Sequence, residues 1–524
     1  MASKAPKTIA IIGSAIAGPT LALQILSNPI LRSAFRPVLF DQAAAPGLEG
    51  HNEKNRAGAS VGLFSNGLYP LYRLGLEDIV KKRGYECGQM STWSCDYEGG
   101  SKRLNTQANV MWSHELQTGV MYFERRALQS LLVEKVKEFG GHVFWAKKTT
   151  GFDALTNGQT RVHFADGSDM VVDLLVGADG GFSSVRRFIL DQRNSATAAG
   201  RWLPDFMGLT GFYGVSTGIK AEGASALFSD TQLLWLQRGF LASGPCPDGK
   251  IRWDLVLQEK KPPMSNSPLE STPESTTGAE RWQSAIIPSQ YPYHSTVEIL
   301  RKHENIFHPY SGTLGKLFGS ADRIIRTPLR QRVWKQDEIQ CRNAVLIGDA
   351  ARLMMPTSGQ GTGFAIEDAT VLARELLKHA SSPKDNSLRQ ALETYAQARE
   401  PRSKKMARAA SVAASMSTSS GLFWRGLRYV SSRLQPDRLE DKFNSRDAQV
   451  QRQTPPCSLT LYSAEAVPML NSHGDGGAVN VGEVLSQNGD ATPLHRLILP
   501  LQPTRHRHRH LSHPPTCTLK VVNL

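Results

Sequence analysis

The sequence predicts an α/β fold in which a parallel sheet flanked by helices is interleaved with a second, sheet-based region. Two stretches predict the parallel sheet: Thr8–Ile12 leads into a glycine turn and a helix, and Ala344–Ile347 leads into a Gly-Asp pair and another helix. Short, continuously apolar runs are typical of strands buried on both faces. The second region is predicted by Tyr85–Val120, which alternates and is rich in aromatic residues, and by the strand-rich stretch Met207–Gln258.

The length and composition fit a globular protein of several domains. The chain has 524 residues, 40% of them apolar, and no apolar run approaches the roughly 18 residues of a membrane span. Its first apolar run is too short and wrongly flanked for a signal peptide, so we expect a cytoplasmic protein. The net charge of +14 predicts a basic surface, but no nucleic-acid-binding module accompanies it. The six cysteines lack a C-x-x-C pair, which predicts free thiols and no metal site.

The first turn of the chain has the pattern of a dinucleotide-binding loop. Residues 13–18 read GSAIAG, so Ala15 replaces the middle glycine of G-x-G-x-x-G. A second strand, Pro37–Phe40, ends at Asp41, whose carboxylate is placed to accept hydrogen bonds from ribose hydroxyls. The alternative is an ordinary βαβ unit in which Asp41 is a turn residue. The predicted dinucleotide-binding residues of this unit are Gly13, Ala15, Gly18 and Asp41.

The stretch after Ala344–Ile347 runs from strand to Gly-Asp, glycine loop and helix. The loop carries Pro356, and the helix Phe364–His379 has an apolar face at helical spacing. Glycines allow backbone N–H groups to approach a flat or anionic ligand, and the helix start adds the positive end of a dipole. Asp349 is an acceptor suited to sugar-like hydroxyls. The alternative is a strand–turn–helix unit in which Asp349 is only a cap.

This stretch closely resembles the Gly-Asp motif of the FAD-dependent aromatic hydroxylases and related single-component flavin monooxygenases. The shared residues are Gly348-Asp349-Ala350-Ala351, Pro356, Gly359-Gln360-Gly361 and Glu367-Asp368-Ala369. Arg352 stands where this family has a histidine. The resemblance implies that Asp349, Gly361 and Thr362 bind FAD.

A second stretch resembles the Asp-Gly motif of the same family. It reads Ala178-Asp179-Gly180, followed by Ser183 and Val185-Arg186. The resemblance implies that Asp179 serves both FAD and NAD(P)H. Arg186 is a candidate donor of charge-assisted hydrogen bonds to phosphate, with a surface ion pair as the alternative.

Two further positions match cofactor-contacting residues of the family. Arg125 is in register with the arginine of an Arg-x-x-Leu motif that reaches the FAD phosphates or adenine, and its neighbour Arg126 is the competing assignment. A helix-surface role for Arg125 is also open. Gly58 matches a glycine that contacts FAD. The resemblance covers roughly residues 8–402, and only one dinucleotide turn is present.

The resemblance implies an aromatic-hydroxylase fold, with a Rossmann-like FAD-binding domain and an interleaved β-sheet substrate domain. The FAD-binding domain is expected from residues 1–80, 121–190 and 336–402, and the substrate domain from 81–120 and 191–335 with a flexible insertion at 259–280. Residues 403–434 are predicted as C-terminal helices, and 435–524 as a disordered tail without family resemblance. Gly421–Leu434 is basic and amphipathic, so peripheral membrane contact is an alternative to packing against the body.

The activity implied by the resemblance is monooxygenation. In this family NAD(P)H reduces FAD, which reacts with O₂ to give a flavin C4a-hydroperoxide that hydroxylates or epoxidises an electron-rich small molecule. We expect an aromatic, polyketide or terpenoid substrate, in secondary-metabolite biosynthesis or aromatic catabolism. The alternatives are another flavin oxidoreductase reaction on the same fold and a catalytically inactive flavin-binding scaffold. The sequence assigns no catalytic base, and Tyr213 is interpreted as either a pocket residue or a core tyrosine.

Overall fold

The computed structural model of the chain describes residues 5–45, 60–193, 201–219, 230–263, 281–381, 387–421, 423–424, 426–428, 430 and 438–440. The strands are β1 Lys7–Ile12, β2 Phe35–Phe40, β3 Ser60–Leu63, β4 Tyr85–Glu86, β5 Gln89–Cys95, β6 Ser101–Trp112, β7 Met121–Glu124, β8 His142–Phe144, β9 Thr149–Ala154, β10 Thr160–Phe164, β11 Asp169–Val172, β12 Leu174–Gly177, β13 Asp205–Ser216, β14 Asp230–Leu236, β15 Gly239–Cys246, β16 Lys250–Gln258, β17 Phe307–His308, β18 Gly312–Thr313, β19 Ala321–Val333, β20 Gln340–Cys341, β21 Ala344–Leu346, β22 Arg352–Leu353 and β23 Arg438–Glu440. The helices are α1 Ala17–Ser27, α2 Pro29–Ala34, α3 Ser65–Arg73, α4 Glu77–Arg83, α5 Arg125–Glu138, α6 Ser184–Gln192, α7 Tyr293–Lys302, α8 Leu314–Gly319, α9 Gly361–Ala380 and α10 Ser387–Thr418.

A six-stranded sheet forms the centre of the first half of the fold and confirms the predicted α/β class. Its order is β20-β21-β12-β1-β2-β8, and all pairs except β20–β21 are parallel. Ile9 of β1 pairs with Leu174 of β12, and Leu175 pairs with Ala344 of β21. These strands are almost fully buried, because α1 packs on the sheet between α5 and α9.

A nine-stranded sheet forms the second half, in the order β22-β19-β13-β16-β15-β14-β5-β6-β23. One face packs against α7 and α8 through side chains such as Phe212, Trp253 and Leu300. The opposite face, which carries Phe240 and Val256, packs in part against α10. Since successive side chains of a strand point to opposite faces, β16 contributes to both clusters.

The C-terminal part of the described chain is mostly one long helix. The predicted helical stretches on either side of residue 402 form the single helix α10, which contains Pro401. Beyond it, Arg428 is buried and its Nη1 donates to the carbonyl oxygens of Met416 and Ser419, whereas Phe423 and Val430 are exposed. Peripheral membrane contact by this segment therefore stays a prediction. None of the helices in the described ranges is long and apolar enough to cross a membrane.

Several sequence predictions fall outside the described residues. These are the contact of Gly58, most of the insertion 259–280, and all of the tail 435–524 except β23. The predicted Tyr85–Val120 strands are present as β4, β5 and β6, but β4 pairs with β7 in a small sheet with β3 and does not join the large sheet.

Candidate active site

A cavity of about 480 Å³ lies between the two large sheets. The carboxyl ends of β1, β12 and β21 open onto it, which is where open parallel sheets bind ligands. The face of the nine-stranded sheet forms the opposite wall. Of the ten cofactor residues predicted from the sequence, five line the cavity: Ala15, Arg125, Asp349, Gly361 and Thr362.

The turn after β1 is shaped by two glycines. Gly13 has φ +107°, and a Cβ there would lie 2.3 Å from the carbonyl oxygen of Ala178. A Cβ on Gly18 would lie 2.0 Å from the carbonyl oxygen of Gly13. These contacts allow α1 to begin directly against the turn, so that the backbone of Ala15 reaches the cavity wall. Both glycines therefore shape the loop by close backbone packing.

Asp41, which follows β2, stabilises the same turn. Its Oδ2 accepts a hydrogen bond of 2.7 Å from the Ser14 N–H, and its Oδ1 accepts one of 2.8 Å from the Ala43 N–H. A carboxylate has about four acceptor positions, so these two bonds leave capacity for a ribose hydroxyl. Ribose binding by Asp41 stays a prediction.

Asp349 and the start of α9 form the centre of the cavity wall. The Asp349 side chain is exposed to the cavity, yet the surrounding protein raises its pKa by desolvation, and Arg125 and Arg352 oppose that rise. Gly361 and Thr362 begin α9, and the residue before them supplies no side-chain cap. The first N–H groups of a helix lack intrahelical partners, so the start of α9 presents donors and a positive dipole end to a ligand.

Arg125 is the first residue of α5 and lines the cavity. Its charge acts on Asp349, whereas that of the adjacent Arg126 acts on Arg323 on the large sheet. The helix is held against the first turn by a 2.8 Å hydrogen bond from Gln129 Nε2 to the Ser14 carbonyl oxygen. This placement favours Arg125 over Arg126 as the cofactor arginine.

We expect Arg125→Ala to weaken FAD binding about 10- to 100-fold, because a hydrogen bond to a charged group contributes roughly 1.5–3 kcal/mol. Arg126→Ala is the matched control, on the next residue of the same helix, and should change the FAD dissociation constant less than about threefold. Fluorescence titration of the apoprotein with FAD measures both. A larger effect of Arg126→Ala would mean that the arginine assignment is wrong.

Asp179 caps α6. Its Oδ2 accepts hydrogen bonds from the N–H groups of Ser184, at 2.7 Å, and Val185, at 3.3 Å, and the hydroxyls of Ser183 and Ser184 also donate to the carboxylate. The residues on either side of Asp179 line the cavity. The carboxylate therefore fixes the loop that faces the ligand, and direct contact of Asp179 with FAD or NAD(P)H stays a prediction.

Arg186 is neither a free phosphate donor nor a surface residue, contrary to both sequence interpretations. It is fully buried, and its guanidinium donates to the carbonyl oxygens of Gly181, Trp202 and Ala350 at 2.5 to 2.9 Å. The guanidinium also lies 3.7 Å from the ring centre of Trp334. Burial lowers the pKa of Arg186 to about 10, so it stays charged at neutral pH. Arg186 thus ties the Asp-Gly loop to the Gly-Asp loop.

Arg352, in the position of the family's histidine, belongs to a buried charge cluster. The cluster comprises Arg352, Glu367, Asp368, Arg399 and Arg402, which surround the ring of Phe364. Arg352 Nη1 lies 2.6 Å from Asp368 Oδ2, and the same oxygen accepts a 2.7 Å hydrogen bond from the Gly348 N–H. Because Arg352 is only 2% exposed, it acts by holding the Gly-Asp loop on α9.

The sheet wall of the cavity carries the polar residues Tyr213, Thr231, Arg252 and Asp254, of which the sequence analysis considered only Tyr213. Tyr213 of β13 and Asp254 of β16 pair in register and both line the cavity. The pocket interpretation of Tyr213 is therefore the one that the structure supports. Asp254 was missed, although an acidic residue at an alternate position of an apolar strand is a signal for a functional carboxylate.

The cavity fits FAD. The starts of α1 and α9 and the guanidinium of Arg125 meet at one wall, which suits a diphosphate. The close packing at Gly13 and Gly18 shapes the turn so that the backbone of Ala15 reaches the cavity, where a dinucleotide would approach. Asp349 would supply an acceptor for hydroxyl groups of the cofactor.

Comparisons with known proteins agree with this fit. A sequence profile described as FAD binding domain matches residues 314–410. The chain is 26% identical over 388 residues to FAD-dependent monooxygenase paxM of Penicillium paxilli, covering 72% of this chain and 70% of that protein. It is also 26% identical over 385 residues to aurachin C monooxygenase/isomerase of Stigmatella aurantiaca, covering 72% and 82%. The crystal structure of Klebsiella pneumoniae HpxO complexed with FAD and uric acid shares the fold, with a TM-score of 0.61, 17% identity, and coverage of 85% of this chain and 95% of that chain.

Proposed function

The chain belongs to the FAD-binding monooxygenases of the aromatic-hydroxylase type, and we propose that it uses NAD(P)H and O₂ to hydroxylate or epoxidise an electron-rich small molecule. This proposal rests on the cavity that the predicted cofactor residues and the nine-stranded sheet line together. One wall holds the residues suited to FAD, and the other is the face of the nine-stranded sheet. A substrate on that sheet would lie against the cofactor within a single enclosed space.

The residues of the chain bind and orient the cofactor in this proposal. Arg125 and the start of α1 would hold the diphosphate, and Asp349 would accept hydrogen bonds from the adjoining hydroxyls. FAD, when bound and reduced by NAD(P)H, supplies the electrons that activate O₂ for oxygen transfer. The start of α9 would stabilise negative charge on the flavin ring, and Pro356, which lines the cavity, would lie near the substrate.

The sheet side of the cavity supports an apolar substrate. Its apolar residues are Met90, Leu233, Phe240, Ala242 and Val256, and they lie beside the polar Tyr213, Thr231, Arg252 and Asp254. Such a surface excludes water, which protects activated oxygen from unproductive loss. We therefore propose an aromatic, polyketide or terpenoid substrate. A relative named for activity on aurachin C is consistent with a role in secondary-metabolite biosynthesis.

The test is the visible spectrum of the purified protein. We expect yellow flavin absorption, bleaching when NADPH or NADH is added without oxygen, and return of the colour in air. Hydrogen peroxide release without substrate and its decrease with a hydroxylated substrate would separate monooxygenation from simple oxidation. A protein that holds FAD but is not reduced by either nicotinamide would contradict the proposal.

A further inference from the structure

Asp254 occupies an unusual place on the sheet wall of the cavity. It lies on β16, in the interior of the nine-stranded sheet, paired with Tyr213 of β13 on one side and Ala242 of β15 on the other. Its neighbours on the same face of these strands include Phe240 and Val256. A carboxyl group thus stands within an otherwise largely apolar substrate surface.

Within the described part of the chain, this carboxyl accepts no hydrogen bond from another residue, and its ion pair is long. Among the described residues, its ionic neighbour is Arg252, whose Nη1 lies 3.9 Å from Asp254 Oδ2. Arg252 is itself held elsewhere, because its Nη2 donates to Thr231 Oγ1 at 2.9 Å and its guanidinium lies 3.3 Å from the ring centre of Tyr122. The Asp254 side chain is 28% exposed and lines the cavity, so its carboxylate is available to a ligand.

The titratable groups around Asp254 are Arg252 on its own strand, Tyr213 on β13 and Tyr122 on β7. Desolvation raises the pKa of Asp254 to about 6, with Arg252 opposing the rise. Desolvation also raises the pKa of Tyr213, which therefore keeps its proton at neutral pH. The pair thus presents one acceptor and one donor to the cavity near pH 7.

We propose that Asp254 is the proton acceptor for the substrate, and that the substrate is a phenol or an enol whose hydroxyl lies against Asp254 and Tyr213. This inference rests on the monooxygenase function proposed above. The substrate O–H bond breaks, the proton moves to a carboxylate oxygen of Asp254, and the electron pair stays on the substrate oxygen. The resulting anion carries more electron density at the conjugated carbon that receives oxygen, and the Tyr213 hydroxyl donates to the anionic oxygen.

The position of Asp254 distinguishes it from the other acidic residue of the cavity. Asp349 lies on the Gly-Asp loop, at the wall suited to FAD, whereas Asp254 lies on the sheet wall. A substrate held between the flavin ring and the sheet would meet Asp254 from the side away from the cofactor. Removing the Asp254 carboxylate should therefore spare FAD binding and flavin reduction.

The test compares Asp254→Asn with the wild type on para-cresol, para-cyanophenol, para-nitrophenol and their O-methyl ethers. The wild type should hydroxylate the phenols and not the ethers, and its kcat/KM should fall as pH drops through about 6. Asp254→Asn should lower the hydroxylation rate about 10²- to 10⁴-fold for para-cresol, the typical contribution of a general base. The defect should shrink toward para-nitrophenol, which is increasingly ionised in solution, and the acidic limb should disappear.

Two further measurements keep the result specific. Flavin absorbance titrations should show that Asp254→Asn keeps FAD and binds the same phenols within a few-fold of the wild type. Asp169→Asn, a matched change on an exposed strand residue, should leave hydroxylation unchanged. Asp254→Glu, which keeps the carboxylate, should restore part of the rate.

Three outcomes would overturn the proposal: hydroxylation of the ethers as fast as the phenols, an Asp254→Asn defect that is equal for all the phenols, or a panel in which no phenol is hydroxylated. A flavin that NADPH and NADH do not reduce would instead contradict the monooxygenase proposal itself. Loss of FAD from Asp254→Asn would assign this residue to the cofactor wall and would also overturn the inference.

Discussion

Asp349→Ala is expected to purify with little or no flavin and to bind added FAD about 10- to 100-fold more weakly than the wild type. The carboxylate faces the cavity at the end of β21, and hydrogen bonds to a charged acceptor contribute roughly 1.5–3 kcal/mol. Desolvation by the surrounding protein raises the pKa of this carboxyl, so its ionisation does not add to the stability of the empty fold. Removing it should therefore not destabilise the apoprotein.

Absorbance of the purified protein and fluorescence titration of the apoprotein measure the loss of FAD. Asp337→Ala, at an exposed turn, is the matched control and should keep its flavin. Asp349→Asn keeps one acceptor oxygen and should fall between Asp349→Ala and the wild type. Full yellow colour in Asp349→Ala would show that this residue is only a turn residue.

Asp368→Ala is expected to lower the free energy of unfolding by about 3–5 kcal/mol, the usual cost of removing one partner from a buried ion pair. Its carboxylate is fully buried and accepts from Arg352, from Arg399 at 2.6 Å and from the Gly348 N–H. Without it, the guanidinium of Arg352 would stay buried without its acceptor, and Arg399 would keep only its bond to Glu367. The Gly348 N–H would also lose its hydrogen bond.

Urea unfolding of the apoprotein, followed by tryptophan fluorescence, measures this change. Glu393→Ala removes an exposed i,i+4 pair with Arg389 and should cost at most about 1 kcal/mol. A conservative Arg352→His change should also destabilise the chain, because the shorter side chain cannot reproduce the bonds to Asp368. An Asp368→Ala variant as stable as Glu393→Ala would show that the cluster does not hold the Gly-Asp loop.

The parts of the fold that the sequence predicted depend on local patterns. Continuous apolar runs identified β1 and β21, and the glycine pattern identified the turn at Gly13. Such patterns can be recognised in short stretches, because the burial of a strand and the geometry of a turn are reflected in residues that are close together in the sequence. The cavity positions of Arg125 and Asp349 followed from their motifs.

The parts that the sequence could not predict depend on contacts between distant segments. Arg186 has a side chain that commonly binds phosphate, but here it donates to carbonyl oxygens. One of these belongs to Ala350, which is 164 positions away in the sequence. Asp254 becomes a cavity residue only through the pairing of β16 with β13 and β15. Alternation along β16 predicts which residues share a face of the sheet with Asp254. It does not predict whether that face or the opposite one meets the Gly-Asp loop.

The strand order of the six-stranded sheet has a consequence for the synthesis of the chain. β12 lies between β1 and β21, and its Leu175 pairs with Ala344. At about 5–20 residues per second, a ribosome needs roughly 10–30 s to make the chain between these two partners. During that time β12 presents an open edge to other chains. The side chains of Leu174 to Val176, on this strand, are fully buried in the finished fold. This edge stays unpaired until β21 emerges, so a chain truncated before Ala344 is expected to aggregate.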